Sequence, residues 1–585
     1  MQRNKSTKNI EQIEKISQND KQITQSISEV IDKFQVRSVF KEIDLVKRCG
    51  VLASTISIAL LILPFVGVAS VAALLKSGLD KSGEGQKDAY YAVKNNEGIA
   101  WRFLLLSLAK RFKFLVNQSN EQLKEIKGSV KQIKALIFDD SALEKTGRKM
   151  EGIGYVHDHV KNAHILGYKL LVCGYWDGIS FIALDFSLHK EKREGALKKA
   201  KERLAKKKMK TEKLESAVQQ QKNKKKEKRS LLKQAEKDYQ TKKNKTNKNR
   251  IEQIRRAVET AEAKAKSIER TLKQQKRQEQ HLANELFDLK ANYRYCGLKK
   301  YEHQNQYKKK RDKSSQGYKR IKEAESNKID NMLHMLKRVI KNGFVPDYVL
   351  TDSWFFCAKL LKAVIGLGRN VELVSMAKIG TAKYMILPKG KFLTPQAIIR
   401  QYERKQGSTS RKYKARYIQF TAEYQGIKVK MFLIRFGTNA KWRMLVTTDL
   451  QMSFTRIMEV YKIRWTIEVF FKECKQYLLL GKSQSRDFDA QIADTTLCFI
   501  RYLLLSYYER THYGITIGGL FREISQASIE ENLLADISAH FMDLLQIFAC
   551  LAGIDFITFY EELLRNPIAI PIIERLGLNQ EKQVA

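Results

Sequence analysis

Cysteine is sparse in this chain and follows no pattern. The seven cysteines, Cys49, Cys173, Cys296, Cys357, Cys474, Cys498 and Cys550, include no Cys-x-x-Cys spacing. That excludes a cysteine-ligated zinc site and argues against a disulfide framework, so a reducing compartment is expected. Proline (6) and glycine (30) are too few among 585 residues for low-complexity linker. The nine histidines include His157 and His159 but form no cluster with zinc-ligand spacing. No Gly-x4-Gly-Lys-Ser/Thr motif occurs, "LPKGK" at 387–391 lacking the spacing, so no nucleotide triphosphate requirement is expected. The first 45 or so residues are polar, which reads against a secretory leader. Acidic charge is the largest deficit. There are 63 Asp+Glu against 108 Lys+Arg, a formal charge of +45. Such an excess implies a polyanionic partner, either nucleic acid or an anionic membrane surface.

Long apolar runs are equally rare. One, "VLASTISIALLILPFVGVASVAALL" at 51–75, reaches the ~20 residues that a bilayer crossing takes. Pro64, Gly67 and four hydroxyl residues interrupt it, as they would a buried helical hairpin in a soluble domain.

The pattern of apolar residues divides the rest. Residues 1–130 read as helical. In 131–190, "ALIFDDS", "HILGYKLLVCGYWDG" and "ISFIALDFSLH" are short apolar runs with Gly or polar breaks, as strands joined by tight turns would be. "DYVLTDSWFF" at 347–356 is a further strand pattern, followed by the helical "CAKLLKAVIGLG". Residues 372–450 are strand-rich and Gly-punctuated, and 490–585 look all-helical.

The stretch 191–325 is saturated with Lys, Arg, Glu and Gln. Spacings of three and four from Leu197 visit Ala200, Leu204, Thr211, Leu214, Val218, Leu232, Ala235 and Tyr239. After an Asn/Lys-rich break the pattern restarts at Ile251, Ile254, Val258, Ala261, Ala265, Ile268 and Leu272, then Leu282, Leu286 and Leu289. These are heptad seams, and two of them around one break predict an antiparallel coiled-coil hairpin. Each arm would hold about 43 residues, or roughly 65 Å.

Chemistry concentrates in "VYKIRWTIEVFFKECKQYL", 460–478. At about 100° per residue, Tyr461, Arg464, Glu468, Lys472 and Lys475 fall within an arc of about 80° of one helix. One carboxylate is thus surrounded by cations and a phenol, while Phe470 falls on the opposite side. Alone, this is also what an ordinary salt-bridged helix looks like. Other carboxylates change the balance. Metal-assisted phosphoryl transfer needs several carboxylates converging on two divalent cations about 3.5–4 Å apart. "ALIFDDS" ends in Asp139 and Asp140, and Asp352 lies among apolar residues in "DYVLTDSWFF". Asp177, before Gly178, reads as a turn residue, and Asp185 has no evident role.

Tyr461-x2-Arg464-x3-Glu468-x6-Lys475, with "FDDS" and "VLTDSWFF", resembles the Y-R-E-K signature and acidic motifs of insertion-sequence transposases of family four. These are the DDE cut-and-paste enzymes that include the Tn-five transposase. Residues 83–102 and 174–189 also resemble family segments. The resemblance covers most of 50–190 and 330–510 and is weak over 1–45 and the C-terminus. It implies an α/β fold with an RNase-H-like mixed-sheet core. The expected order is a helical, DNA-end-binding domain at 1–130 and the first part of the core at 131–190. The basic coiled-coil hairpin (191–325) and the second part of the core (326–371) follow. A β-rich insertion (372–450), the glutamate helix (451–489) and a helical, dimerising domain (490–585) complete it.

The family triad carries over onto Asp140, Asp352 and Glu468. Asp140 is preferred to Asp139 because the family acid precedes a Thr, here Ser141. These three would hold two Mg²⁺ or Mn²⁺ ions. Tyr461, Arg464 and Lys475, with Lys472, would contact phosphates of the transposon end. Trp442 would be the aromatic on which relatives stack a flipped base, although its spacing to Tyr461 differs. The resemblance further implies cleavage, a hairpin intermediate and strand transfer on double-stranded DNA, a homodimer in the DNA complex, and a cytoplasmic, nucleoid-associated location without a membrane. Two rival readings are a membrane-anchored basic scaffold without catalysis, and an RNase-H-like nuclease that cuts without joining.

Overall fold

The computed structural model describes residues 29–42, 53–76, 87–124, 132–158, 160–190, 194–243, 245–291, 297–368, 370–388, 390–437, 439–512, 516–552 and 554–575. The chain divides into two compact units, Met1–Lys190 with Gln306–Ala585, and Glu191–Asn305.

The first unit is built on one mixed sheet of twelve strands. They are β1 (Ala135–Glu144), β2 (Gly154–Asp158), β3 (Ala163–Trp176), β4 (Phe181–His189), β5 (Tyr348–Thr351), β6 (Glu372–Ala377), β7 (Tyr384–Ile386), β8 (Lys391–Leu393), β9 (Ser408–Ser410), β10 (Ala415–Tyr424), β11 (Ile427–Phe436) and β12 (Arg443–Thr447). Their spatial order is β2-β3-β1-β5-β6-β12-β11-β10-β7-β8, with β4 beside β3 and β9 beside β10. β1, β5 and β6 run parallel. The β1–β3 and β3–β4 pairs are antiparallel, as are the pairs from β6 to β12 and onward. Gln425 (φ 51°) and Gly426 (φ 82°) form the two-residue turn between β10 and β11, the left-handed pair that matches strand twist. Such a mixed sheet is compatible with an RNase-H-like core.

β4 is buried at all nine positions. Helices Trp101–Lys124, Gln316–Glu325, Lys328–Lys341 and Phe488–Thr511 pack on it. Local chemistry sets their ends. Asn327 Oδ1 accepts from the Ile329 amide at 2.8 Å and starts Lys328–Lys341. Met332, Met335, Leu336, Val339 and Ile340 then form its buried face, and Gly343 at φ 89° lies just beyond its end. Each such side chain contributes roughly 1.5–3 kcal/mol of apolar burial.

Several expectations change. Strand β6 pairs in parallel with β5, so it continues the core sheet, although the sequence division at 371 leaves it outside. A helix, Pro395–Gln406, interrupts the strand-rich region, capped by Thr394 with Pro395 at its first turn. The hairpin unit ends at Asn305, not 325. Residues 316–325 belong to the sheet unit because Arg320 donates to the Phe186 carbonyl at 2.7 Å.

The apolar run at 51–75 lies partly outside the described residues. From 53 on it forms helix Ala53–Ile62, a turn and helix Val71–Lys76. Buried Arg501 donates to the Leu60 and Leu61 carbonyls at 2.6 and 2.7 Å, satisfying carbonyls that a helix end leaves open. Among the described residues, no helix is long and apolar enough to cross a membrane.

The second unit holds helices Glu194–Thr241 and Lys245–Ala291, of 48 and 47 residues. Each arm is a turn longer than the apolar spacing predicts, because the polar ends continue the helix. The arms run antiparallel, as the pairs Lys222–Glu269, Arg229–Glu262 and Arg255–Glu236 show.

Gly167 sits where β3 crosses Leu143 of β1. A Cβ there would meet the Leu143 carbonyl oxygen at 2.0 Å, and a backbone atom cannot swing aside. Gly167→Ala is expected to cost about 1–3 kcal/mol, read as a lower urea midpoint with an unchanged slope.

Candidate active site

Parallel pairing of β1 with β5 aligns Phe138 with Thr351. The next residue on each chain is an acid, Asp139 and Asp352. Successive side chains of a strand point to opposite faces, so Asp139 and Asp140 part company. The Asp139 carboxylate meets Arg464, whose Nη1 donates to Oδ2 at 2.8 Å. Arg464 Nη2 donates to Glu468 Oε1 at 2.6 Å. One guanidinium therefore bridges the first strand and the glutamate helix. The Asp352 charge acts on Asp139 as well. Burial raises the Asp139 carboxyl, Arg464 opposes, Asp352 adds to the rise, and the result is pushed up to about 7. Asp352 Oδ1 accepts from the Trp354 amide at 2.8 Å, which fixes the turn after β5.

Asp140 faces the other way. It pairs with Lys328 and, at 3.3 Å, with Lys169. Burial works to raise its carboxyl, but the two lysines outweigh that and hold it below the usual range. The residue pattern favours Asp140 for the metal on its neighbour Ser141. In the fold, Asp139 is the acid that shares a charge field with Asp352 and a guanidinium with Glu468. Asp140 is already neutralised by two lysines. The strand register that decides this is not readable from the sequence.

The segment 460–478 is two helices, Phe454–Lys462 and Trp465–Gln476. Around the junction the amides bond three residues back, Arg464 to Tyr461 and Ile467 to Arg464, a tightening to 3₁₀ geometry. This turns Arg464 between the two acids. The Tyr461 hydroxyl is buried without a hydrogen-bond partner among the described residues. Burial, with Asp352 and Asp139 adding against Arg464, pushes it up to about 12, so it stays a donor. Lys475 Nζ donates to Ser141 Oγ at 2.7 Å. Lys472 is exposed on the same helix. Trp442 lies just before β12, with the Arg435 guanidinium 5.0 Å from its ring centre. β6 separates β12 from β5, so Trp442 stands apart from the acids by two strand positions.

Sequence reasoning misses Lys169, Lys328 and Trp354. Lys328 Nζ lies 3.8 Å from the Trp354 ring centre while it pairs with Asp140, and the indole remains 42% exposed. The one signal is position, since Trp354 follows Asp352 by two residues. The structure also answers for two other acids. Asp177 is a turn residue accepting the Ile179 and Ser180 amides at 2.9 and 2.7 Å, as the Asp-Gly pair suggests. Asp185, 1% exposed on β4, binds Arg102 and Arg338, each at 2.8 Å, with Arg320 at 3.8 Å.

Among the described residues, no three acidic, His or Cys side chains stand close enough to hold a metal ion as they are. The donor types still suit a hard divalent cation. They are oxygen donors, Asp139 is destabilised as an anion by burial with Asp352 adding to it, and an unpartnered phenol lies beside them.

Residues 302–504 match the family model of the transposase DDE domain. The match takes in Asp352, Tyr461, Arg464, Glu468, Lys472 and Lys475, and stops short of β1. It covers about a third of the chain and supports a DDE transposase role in general. No curated protein matches the chain.

Proposed function

We propose that the chain is a cut-and-paste DNA transposase of the insertion-sequence type, with Asp139, Asp352 and Glu468 as its acidic set. The observation that carries this reading is the Asp139–Arg464–Glu468 bridge beside Asp352, just past the stretch over which β1 and β5 pair in parallel. Asp352 and Glu468 lie within the matched domain and Asp139 outside it, and all three offer oxygen donors of the type that Mg²⁺ or Mn²⁺ takes. Such ions neutralise developing charge and supply a nucleophilic hydroxide. Asp139, Asp352 and Glu468 would hold them. Tyr461 and Lys475 then donate to phosphate oxygens, and Arg464, released from the acids, does the same. Lys472 and Trp442 are outer contacts to the duplex. In the first step a water oxygen bonds to phosphorus and the 3′ oxygen leaves as a hydroxyl. That hydroxyl then attacks the opposite strand, giving a hairpin that water reopens, and finally attacks target DNA. Two copies of the chain would hold the two ends. A nucleoid-associated, cytoplasmic setting follows from the substrate.

A cleavage and joining assay on the element's own ends with Mg²⁺ tests this, with Asp352→Ala and Glu468→Gln beside wild type. Nicked, hairpin and joined products are expected from wild type alone. Cutting without joining would favour a nuclease. Mutants that cut as well as wild type would end the reading.

A further inference from the structure

The hairpin's charge has a direction that a mere spacer does not need. Residues 191–305 carry 36 Lys+Arg against 16 Asp+Glu, a net +20. Several of the glutamates hold the arms together. Glu215, Glu236, Glu262 and Glu269 each pair with a cation of the opposite arm. The surplus gathers on one face. At about 100° per residue, Lys198, Lys199, Lys206, Lys210, Lys213 and Lys224 fall within about 120° of the first arm. Ala200, Leu204, Thr211 and Val218 fall on the far side and make its seam. All six lysines are exposed, and among the described residues none is in an ion pair. Glu202 is the one acid on that arc between 198 and 224. The stripe rises about 39 Å, slightly more than one turn of duplex, about 34 Å. Like charges crowded on one helix repel, and a helix of this length needs no such stripe to pack.

We infer that this lysine stripe is a docking surface for the phosphate backbone of duplex DNA, independent of base sequence. The inference rests on the proposed function for the identity of its polyanion. A peripheral anionic-lipid contact is the rival occupant. It fits less well, because most of the arm's apolar residues are spent on the seam, and Met209 and Leu231, the large apolar side chains exposed on this arm among the described residues, are too few to enter a bilayer as a face.

The test uses the full chain and a labelled random-sequence duplex across a salt series. The six lysines are changed to Gln in one variant and to Arg in another. For the Gln variant, the slope of log affinity against log salt is expected to flatten by about 3–5, at close to 0.9 for each phosphate that is no longer neutralised. Its affinity near 0.1 M salt is expected to fall at least tenfold, with unchanged helix content and melting. The Arg variant is expected to keep the wild-type slope. Coincident slopes for the Gln variant and wild type overturn the inference. So does loss of binding to phosphatidylserine vesicles with the duplex slope retained. If wild type cuts its own end DNA while the slopes coincide, only the stripe assignment falls. If wild type neither binds duplex nor cuts, the transposase reading falls with it.

Discussion

Asp139→Asn is expected to lower DNA cleavage by a factor of about 10³ or more, since several kcal/mol of charge stabilisation depend on each metal-facing carboxylate. Asp140→Asn is expected to keep cleavage within about tenfold at a temperature where it is folded. The two acids are neighbours in sequence but not in chemistry. Asp139 faces Arg464, with Asp352 raising its proton affinity. Asp140 faces Lys169 and Lys328, only 6% and 16% exposed, and its loss leaves both ammonium groups without a carboxylate. Its cost should therefore appear in stability, at roughly 2–4 kcal/mol. Direct Mn²⁺ binding, read by electron paramagnetic resonance, is expected to weaken in Asp139→Asn and to persist in Asp140→Asn. The reverse pattern would return the assignment to Asp140.

The same carboxylate predicts a pH dependence with a definite sign. Asp139 is raised to about 7 in the folded chain, against about 3.9 unfolded. Between those values the native state binds the extra proton, so this group's contribution to stability falls as pH rises through the window. In metal-free protein, Asp139→Asn should match wild type near pH 4 and exceed it by roughly 1–3 kcal/mol at pH 8. A variant that is more stable yet inactive is what a charge placed for function leaves behind. Chemical unfolding at the two pH values measures it.

Asp185→Leu is expected to be the most damaging change to the fold, at about 3–5 kcal/mol. The carboxylate is buried on β4, and Arg102, Arg320 and Arg338 converge on it from three helices. Glu323 also pairs with Arg102 and Arg320, so the variant leaves three cations to one carboxylate. Burial works to raise the Asp185 carboxyl, but Arg102, Arg338 and Arg320 outweigh it and hold it below the usual range. Its stabilisation is then full above the unfolded value of about 3.9 and is lost as pH falls through the lower folded value. Thermal melting of wild type and variant should differ most above pH 5 and converge in strong acid. Equal melting at neutral pH would show that the cluster contributes nothing net.

Much of this architecture is local and legible in residue order. Short apolar runs broken by Gly or polar residues mark β3, β4, β10 and β11, and the run of β4 is nearly continuous because all nine of its positions are buried. Three-four spacing marks both hairpin arms, and a shortfall of acids announces a polyanionic partner. The neighbourhood of Arg464 and Glu468 is legible for the same reason, four residues being one helical turn. What residue order does not decide is long-range. β6 looks like part of an insertion until its parallel pairing with β5 draws it into the core sheet. Asp185 looks idle because its partners stand at 102, 320 and 338. Asp139 and Asp140 are interchangeable on paper, since a carboxylate's role depends on which face of β1 it leaves. That face is set by the register of β1 on β5 and by a guanidinium 325 residues away along the chain. Residue types and spacings set the chemistry available to this protein. The pairing of strands, which no local pattern encodes, sets which partners each of two adjacent acids meets.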